Sequence, residues 1–241
     1  MTWFGTEGAE LERTLGLPHV TALTQAESTM DEAHALAAAG APAGSLVVAE
    51  EQTAGRGRGG RAWTSVRGSG LWLTLVERPV SDDGLDVLSL RVGLHLAPVL
   101  DRWTASPVRL KWPNDLFVSD LKLAGVLIEA RWRGARADWV AIGVGVNLRQ
   151  SGEEARATLQ DADVREVLAA VVPALRAAAA TPGALSESER AAFAARDLAA
   201  GQRVSHPARG TVRGIAASGE LLIETDAGIC RCRAGSLVLV A

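Results

Sequence analysis

Pro113 interrupts what would otherwise be one long apolar strand. Val108-Arg109-Leu110 leads into Lys111-Trp112-Pro113-Asn114-Asp115, and Leu116-Phe117-Val118 leads out. Proline has no N–H to give a sheet ladder, so the run must bend there. Asn114 and Asp115 are residue types that hold such a bend through side-chain to backbone hydrogen bonds. Lys111 and Asp115 then stand at the two ends of one kink, where side chains can project into a cleft. A purely structural turn is the other reading of Asn114 and Asp115, and these residues alone do not decide between the two.

Three further segments carry chemistry. Glu51 to Trp63 alternates arginines with glycines (Gly55-Arg56-Gly57-Arg58-Gly59-Gly60-Arg61), pairing backbone that can approach a ligand with planar cationic forks suited to carboxylate and phosphate. Read alone, it is also consistent with a flexible turn or an RNA-binding RGG tract. Lys122-Leu123-Ala124-Gly125-Val126-Leu127-Ile128-Glu129 is an alternating strand with one lysine at its start, and Gly143-Val144-Gly145-Val146-Asn147 is a glycine-notched strand ending on an amide. The latter lacks the spacing and helix entry of a dinucleotide fingerprint.

The rest of the chain supplies a scaffold. Ser28 or Thr29, with Asp31 or Glu32 three residues on, predicts a capping box for a helix through Ala39, closed by Gly40 and Pro42. Strands are expected at 45–50 and 70–76, and apolar residues at three- and four-residue steps predict a long amphipathic helix over 85–103. Residues 108–118, 122–132 and 138–147 read as strands, the last two joined as a hairpin through 133–136. Helices are expected over 164–180 and 187–195. From Gly201 short strands alternate with turns at 218–220 and 226–228, the pattern of a small β-barrel. The chain of 241 residues is 48% hydrophobic, enough for one large domain and a small one, and its formal net charge of −3 argues against a dedicated nucleic-acid binder. Cys230 and Cys232, the two cysteines present, lie two apart in a strand-like segment and do not suggest a disulfide framework. With no signal-like or bilayer-spanning run, a cytoplasmic protein without membrane or nucleic-acid partners is expected. The histidines and cysteines show no metal-ligand spacing, so no metal site is assigned.

In this order and at these separations the motifs resemble the biotin protein ligase family, over about Ala26 to Asn147. The family's Ser-Thr-Asn element is Ser28-Thr29-Met30 here, its glycine and arginine loop is Gly55 to Arg61, its Lys-Trp-Pro-Asn-Asp turn is Lys111 to Asp115, its Lys-Leu-Ala-Gly strand starts at Lys122, and its final glycine strand ends at Asn147. The resemblance implies an α+β fold, with a mixed-sheet catalytic domain of the class II synthetase-like type over 1–197 and an SH3-like barrel over 198–241. It also implies a monofunctional ligase, because a preceding DNA-binding domain would need on the order of 60 residues before Ser28.

The implied chemistry is activation of biotin by ATP to biotinyl-5'-AMP with release of pyrophosphate, then transfer to a lysine of a biotin carboxyl carrier domain of a biotin-dependent carboxylase. By resemblance Ser28, Thr29, Gln52, Gly55, Arg56, Arg58, Lys122 and Gly125 meet biotin. Arg56, Arg58, Arg61, Trp63, Lys111, Asn114 and Asn147 meet ATP, with Trp63 packed on adenine. Fixed cations and Mg²⁺ stabilise charge on the transferring phosphoryl group, which gives Lys122, Arg58 and Lys111 catalytic roles; no Mg²⁺ ligand is assigned. Asp115 is the candidate to orient the acceptor lysine and take its proton. The loop is expected to be mobile until ligand binds. A homodimer through a sheet edge is implied by resemblance only. Relatives carry arginine where this chain has Gly59 and asparagine where it has Met30, so Gly59→Arg is expected to strengthen the hold on the adenylate if the backbone there permits a side chain. Two other functions remain open, a lipoate ligase with the same fold and a nucleic-acid or effector-binding module using the Gly/Arg loop.

Overall fold

The computed structural model describes residues 2–151 and 155–240. The chain opens with two short paired strands, β1 (Thr2–Trp3) and β2 (Thr6–Glu7), then helix α1 (Gly8–Leu15) and strand β3 (Val20–Leu23), elements the sequence patterning had not indicated. Helix α2 (Thr29–Ala38) and strands β4 (Ser45–Ala49) and β5 (Gly70–Glu77) follow as expected. The amphipathic stretch is helix α3 (Leu88–Leu100) between single 3-10 turns at Leu85–Val87 and Asp101–Trp103.

The proline run is two strands, not one bent strand. β6 (Arg109–Lys111) and β7 (Asp115–Val118) form a tight antiparallel hairpin in which Lys111 and Asp115 are directly opposed. Strands β8 (Leu121–Arg133) and β9 (Arg136–Asn147) form the long expected hairpin, and helices α4 (Val164–Ala180) and α5 (Glu187–Arg196) follow. Strand order is β3-β4-β5-β9-β8-β7-β6, parallel between β3 and β4 and antiparallel elsewhere.

Alternation along these strands gives the sheet two different faces. Leu46, Val48, Leu71, Leu73, Leu75, Ile142, Val144 and Val146 belong to the main apolar core, against which α3 and α4 pack. The other face presents Val47, Thr74, Val76, Gly143 and Gly145 in matching register, and α2 covers part of it through Ala33 and Ala37. The site lies where α2 stops covering this second face.

Strands β10 (Arg203–His206), β11 (Gly210–Ile215), β12 (Leu221–Thr225), β13 (Gly228–Cys232) and β14 (Val238–Leu239) make a separate antiparallel sheet, ordered β13-β12-β11-β10-β14. It buries Val204, Val212, Ile215, Leu221 and Ile223, consistent with an SH3-like barrel. Cys230 and Cys232 are free, with their sulfurs 3.6 Å apart. This sheet is tied to the β6–β7 hairpin, where Trp112 Nε1 donates to the Gly219 carbonyl at 2.9 Å. Gly219 has φ +80, and a Cβ there would press on Val87 at 3.0 Å, so the close approach depends on glycine.

Arg91 locks the helical layer. Its side chain is fully buried, its Nε meets Glu189 Oε1 at 2.5 Å, and its Nη atoms donate to the carbonyls of Thr181, Gly183 and Ala184. The Arg91 hydrogen bond is the main cause holding the Glu189 carboxyl below the usual carboxylate range. Such a group stabilises the fold above its ordinary pKa of 4.5 and ceases to do so as pH falls through the lower folded value. Arg91→Leu, which leaves the Glu189 carboxylate with only its Ser186 backbone partner and takes the guanidinium from three carbonyls, is expected to lower the unfolding free energy by about 3 kcal/mol at pH 7. In urea melts the gap from the parent protein should narrow below pH 4.5; a constant gap across that window would assign the loss to packing rather than to the Arg91–Glu189 charge pair.

Candidate active site

One cross-strand row organises the site. Trp72 on β5 is opposite Gly145 on β9, Gly145 opposite Gly125 on β8, Gly125 opposite Asp115 on β7, and Asp115 opposite Lys111 on β6. Directly opposed residues share a face. The two glycines therefore open a trough between a tryptophan and an acid. Trp63, at the end of the Gly/Arg loop, lies in it. A Cβ on Gly145 would come within 2.7 Å of the indole and one on Gly125 within 2.8 Å. The ring meets Trp72 edge-on at 6.4 Å, and Lys122 Nζ stands 4.7 Å over it. Trp63 Nε1 is buried without a hydrogen-bond partner among the described residues.

The loop follows a defined path. Trp63 N donates to Gly55 O at 2.8 Å and Gly57 N to Arg61 O at 2.7 Å, and Arg56 bridges to Ala62. Gly55 is required by contact, since a Cβ there would lie 2.5 Å from Trp63 O. Gly59 is required by conformation, at φ +66 with open space around it. An arginine at 59 would be strained and would face solvent, which removes the expectation that Gly59→Arg tightens the hold on a phosphate.

A polar wall closes one end of the cleft. Gln52 Oε1 accepts from Thr29 N at 2.8 Å and Thr29 Oγ1 at 3.1 Å, its Nε2 donates to Ser65 Oγ at 2.7 Å, and Thr29 Oγ1 lies 2.9 Å from Thr74 Oγ1. No capping box forms on α2. Ser28 Oγ caps the helix by accepting from Met30 N at 3.3 Å, while the Thr29 hydroxyl turns to Gln52 and Thr74. Met30 brings its terminal methyl to within 2.7 Å of where a Cβ on Gly143 would sit, so this wall has an apolar corner.

Cations gather at the other end. Lys122 Nζ and Asp115 Oδ1 are 2.6 Å apart, which makes the acid a partner of the lysine rather than a free carboxylate at the mouth. Burial pushes the Arg58 and Lys111 pKa values down; Arg61 adds to both and Lys122 to Lys111, while Asp115 opposes both. Arg56 instead reaches back to Asp31, with Nη2 to Oδ1 at 2.7 Å and Nη1 to Oδ2 at 2.8 Å, and approaches Glu129 at 3.7 Å.

The resulting cleft encloses about 730 Å³ with its open mouth. It brings together Ser28, Thr29, Gln52, Arg56, Arg58, Arg61, Trp63, Asn114, Asp115, Lys122 and Gly125 from the sequence-derived set, and adds Met30, Thr74, Leu127, Gly143 and Gly145. Gly55, Lys111 and Asn147 do not line it. Gly55 is beneath the loop, Lys111 Nζ sits 5.3 Å over the Phe117 ring, and buried Asn147 donates from Nδ2 to Lys122 O at 3.1 Å, positioning the lysine's backbone. Asn114 lines the cleft, yet its Nδ2 is committed to Val126 O at 2.8 Å. Mg²⁺ has no ready cage: among the described residues no three His, Cys, Asp or Glu converge, and Asp115 is already paired.

This geometry has known counterparts. Residues 22–147 match the model of the biotin/lipoate A/B protein ligase family. The chain belongs to that family. The bifunctional ligase/repressor BirA of Escherichia coli is 34% identical over 202 residues, covering 76% of this chain and 62% of that protein. The biotin--[acetyl-CoA-carboxylase] ligase of Mycobacterium tuberculosis is 37% identical over 147 residues, covering 58% of this chain and 53% of that protein. The chain spans between 42% and 62% of the length of the bifunctional relatives it matches. Among solved structures, the biotin protein ligase from Aquifex aeolicus in complex with biotin and ATP superposes with a TM-score of 0.76 at 28% identity, covering 92% of this chain and 98% of that one. The α+β fold expected from the resemblance is thus that of a biotin protein ligase.

In this family member the glycine pair is a seat for Trp63. Gly145→Ala puts a methyl into the indole and not into backbone, so the protein should fold while Trp63 is lifted from its trough. The Trp63 part of the fluorescence, taken as the difference from Trp63→Phe in each background, is expected to shift red and become accessible to acrylamide. An unchanged difference spectrum would show that the trough accommodates the extra methyl.

Proposed function

We propose that this chain is an ATP-dependent biotin protein ligase, activating biotin to biotinyl-5'-AMP and transferring it to a lysine of a biotin carboxyl carrier domain. The observation that carries the reading is the join in one cleft between a partly apolar pocket, bounded by Trp63 on its glycine seat and by a fixed amide wall, and a group of arginines and a lysine. A ligand with a compact ring, a polar head and a carboxylate tail fits that gradient, with the tail at the cationic end. The Mycobacterium biotin--[acetyl-CoA-carboxylase] ligase and the Aquifex biotin protein ligase support it as relatives. A cytoplasmic location and a sheet-edge homodimer belong to the same proposal and rest on composition and resemblance.

In the first step a carboxylate oxygen bonds to the α-phosphorus of ATP as the bond to pyrophosphate breaks. Charge on the phosphoryl oxygens is met by Arg58 and Arg61, which line the cleft, and by Lys122 once it has turned from Asp115. In the second step the acceptor amine attacks the acyl carbon, the bond to AMP breaks, and one proton leaves the nitrogen. The Lys122–Asp115 pair links the steps. When Lys122 turns to the anion, Asp115 is released and becomes the carboxylate able to orient the acceptor's ammonium and take its proton. Trp63 and the loop cover the trough and keep water from the mixed anhydride.

Calorimetric titration with biotin, alone and with ATP, tests the reading, with lipoate as the competing ligand; tighter binding of lipoate than of biotin would move the chain to the other branch of its family. Lys122→Ala is expected to slow pyrophosphate release by at least ~10²-fold without unfolding the protein. Asp115→Asn frees Lys122 and should leave adenylate formation intact while transfer slows, both timed in single turnovers. Equal loss in the two steps would assign Asp115 to holding Lys122 throughout.

A further inference from the structure

A chain of contacts, two hydrogen bonds and then an ion pair, runs from the sheet to the Gly/Arg loop behind the cleft. Trp139 Nε1 on β9 donates to His34 Nδ1 at 2.9 Å, and His34 Nε2 on α2 lies 3.0 Å from Glu129 Oε2 on β8. Glu129 Oε1 is 3.7 Å from Arg56 Nη2, the same nitrogen that pairs with Asp31 Oδ1 at 2.7 Å. An indole nitrogen can only donate. Nδ1 of His34 must therefore be an acceptor, which leaves the proton on Nε2 and fixes a neutral imidazole that donates to Glu129. One tautomer satisfies both neighbours.

We propose that His34 is a positioning residue for Arg56. In its neutral form it fixes Glu129, which together with Asp31 sets the arginine at the rim of the ligand cleft. The inference rests on the proposed ligase reading for what Arg56 meets, though not for the chain of contacts itself. Arg56 lines the cleft, and Asp31 and Glu129 are the carboxylates that face its guanidinium. Protonation of Nδ1 would set an N–H against the Trp139 N–H, break that bond, and turn a cationic imidazolium toward the carboxylate that Arg56 uses.

The charged groups facing His34 are Asp31 from its own helix, and Glu129 and Arg131 from β8; Arg56 lies beyond Glu129, and Arg78 stands 5.8 Å over the Trp139 ring. Burial first, then Arg131, lowers the imidazole pKa below its ordinary 6.5, against Glu129 and Asp31. The neutral chain is thus the form present at pH 7, and its disruption falls on the acid side of 6.5.

Three proteins separate this role from a histidine that merely fills space. His34→Leu cuts the chain. His34→Gln keeps one acceptor and one donor and has no charge change near neutrality. At pH 7.5 His34→Leu is expected to weaken binding of biotin with ATP about tenfold, the scale of one lost hydrogen bond behind a binding cation. His34→Gln should stay within about twofold of the parent on the same scale. Between pH 7.5 and 5.5 the parent should lose affinity that His34→Gln retains. In parallel, the Trp139 indole ¹H–¹⁵N resonance, identified by its absence in Trp139→Phe, should titrate once below pH 6.5 in the parent and not in His34→Gln.

Equal loss in the leucine and glutamine proteins, or one shared pH dependence for parent and His34→Gln, would overturn the proposal. So would an indole resonance that does not move. A parent protein that binds no biotin would sink the ligase reading instead, and the indole titration would still decide whether the chain exists.

Discussion

The site depends on the register of β8 against β9. Gly125 opposite Gly145 is a consequence of that register, and it sets an empty place in a sheet face otherwise lined by side chains. A slip of one residue would send both glycines to the helix-packed face and bring valines to the cleft. The buried alternation of Val140, Ile142, Val144 and Val146 on β9 holds the register, because those residues can be buried only on the side of α3 and α4. Core packing on one face thus fixes the chemistry of the other.

The Gly/Arg loop takes its shape from that trough. Trp63 enters it, closes on Gly55 through a backbone hydrogen bond, and so brings Arg56, Arg58 and Arg61 to one rim. The loop's glycines are not interchangeable. Gly55 avoids a clash with Trp63 O, whereas Gly59 and Gly60 adopt positive φ. A loop held at its tryptophan end and bent at its glycines can order its arginines with few contacts of its own, which suits a segment that must also admit a ligand.

Much of this was legible in the sequence where a residue type has one strong physical use. The β8–β9 hairpin followed from alternation and the bend from Pro113; helix α5 was expected over 187–195, and the structure starts it with a capping box of Ser186 and Glu189 that had not been read from the sequence. The arginines were marked by residue type, Lys122 and Gln52 by the resemblance alone, and the structure brings them into one cleft. Pairing across strands was less legible. Asp115 meets Lys122 because Asp115 is opposite Gly125, three residues beyond the lysine, and a β-bulge shifts the register just there. Asn147, marked as a ligand contact, donates to the backbone of Lys122 and does not line the cleft. His34 and Trp139 are 105 residues apart, so nothing local announced their hydrogen bond. The N-terminal strands and α1 were too short to show a period.

The cations of the cleft fall into two classes, and the division bears on where an anion settles. Arg56 and Lys122 already have carboxylate partners, Asp31 and Asp115. Arg58 and Arg61 have none among the described residues. Arg61 Nε is given to the carbonyl of Arg58, and the two guanidinium groups oppose each other's charge. Burial already disfavours the charged form of Arg58, and Arg61 adds to that cost, so an anion between them relieves both at once. On the proposed ligase reading, Arg58 and Arg61 meet a phosphate first, since neither has a carboxylate to leave. Lys122 has to leave Asp115 to join them, which makes the lysine's engagement conditional on an anion strong enough to compete with a carboxylate at 2.6 Å. On this ordering, a ligand carrying only a carboxylate leaves the Lys122–Asp115 pair closed. A ligand carrying a phosphate as well opens it, so the acid is exposed only after the phosphate has arrived.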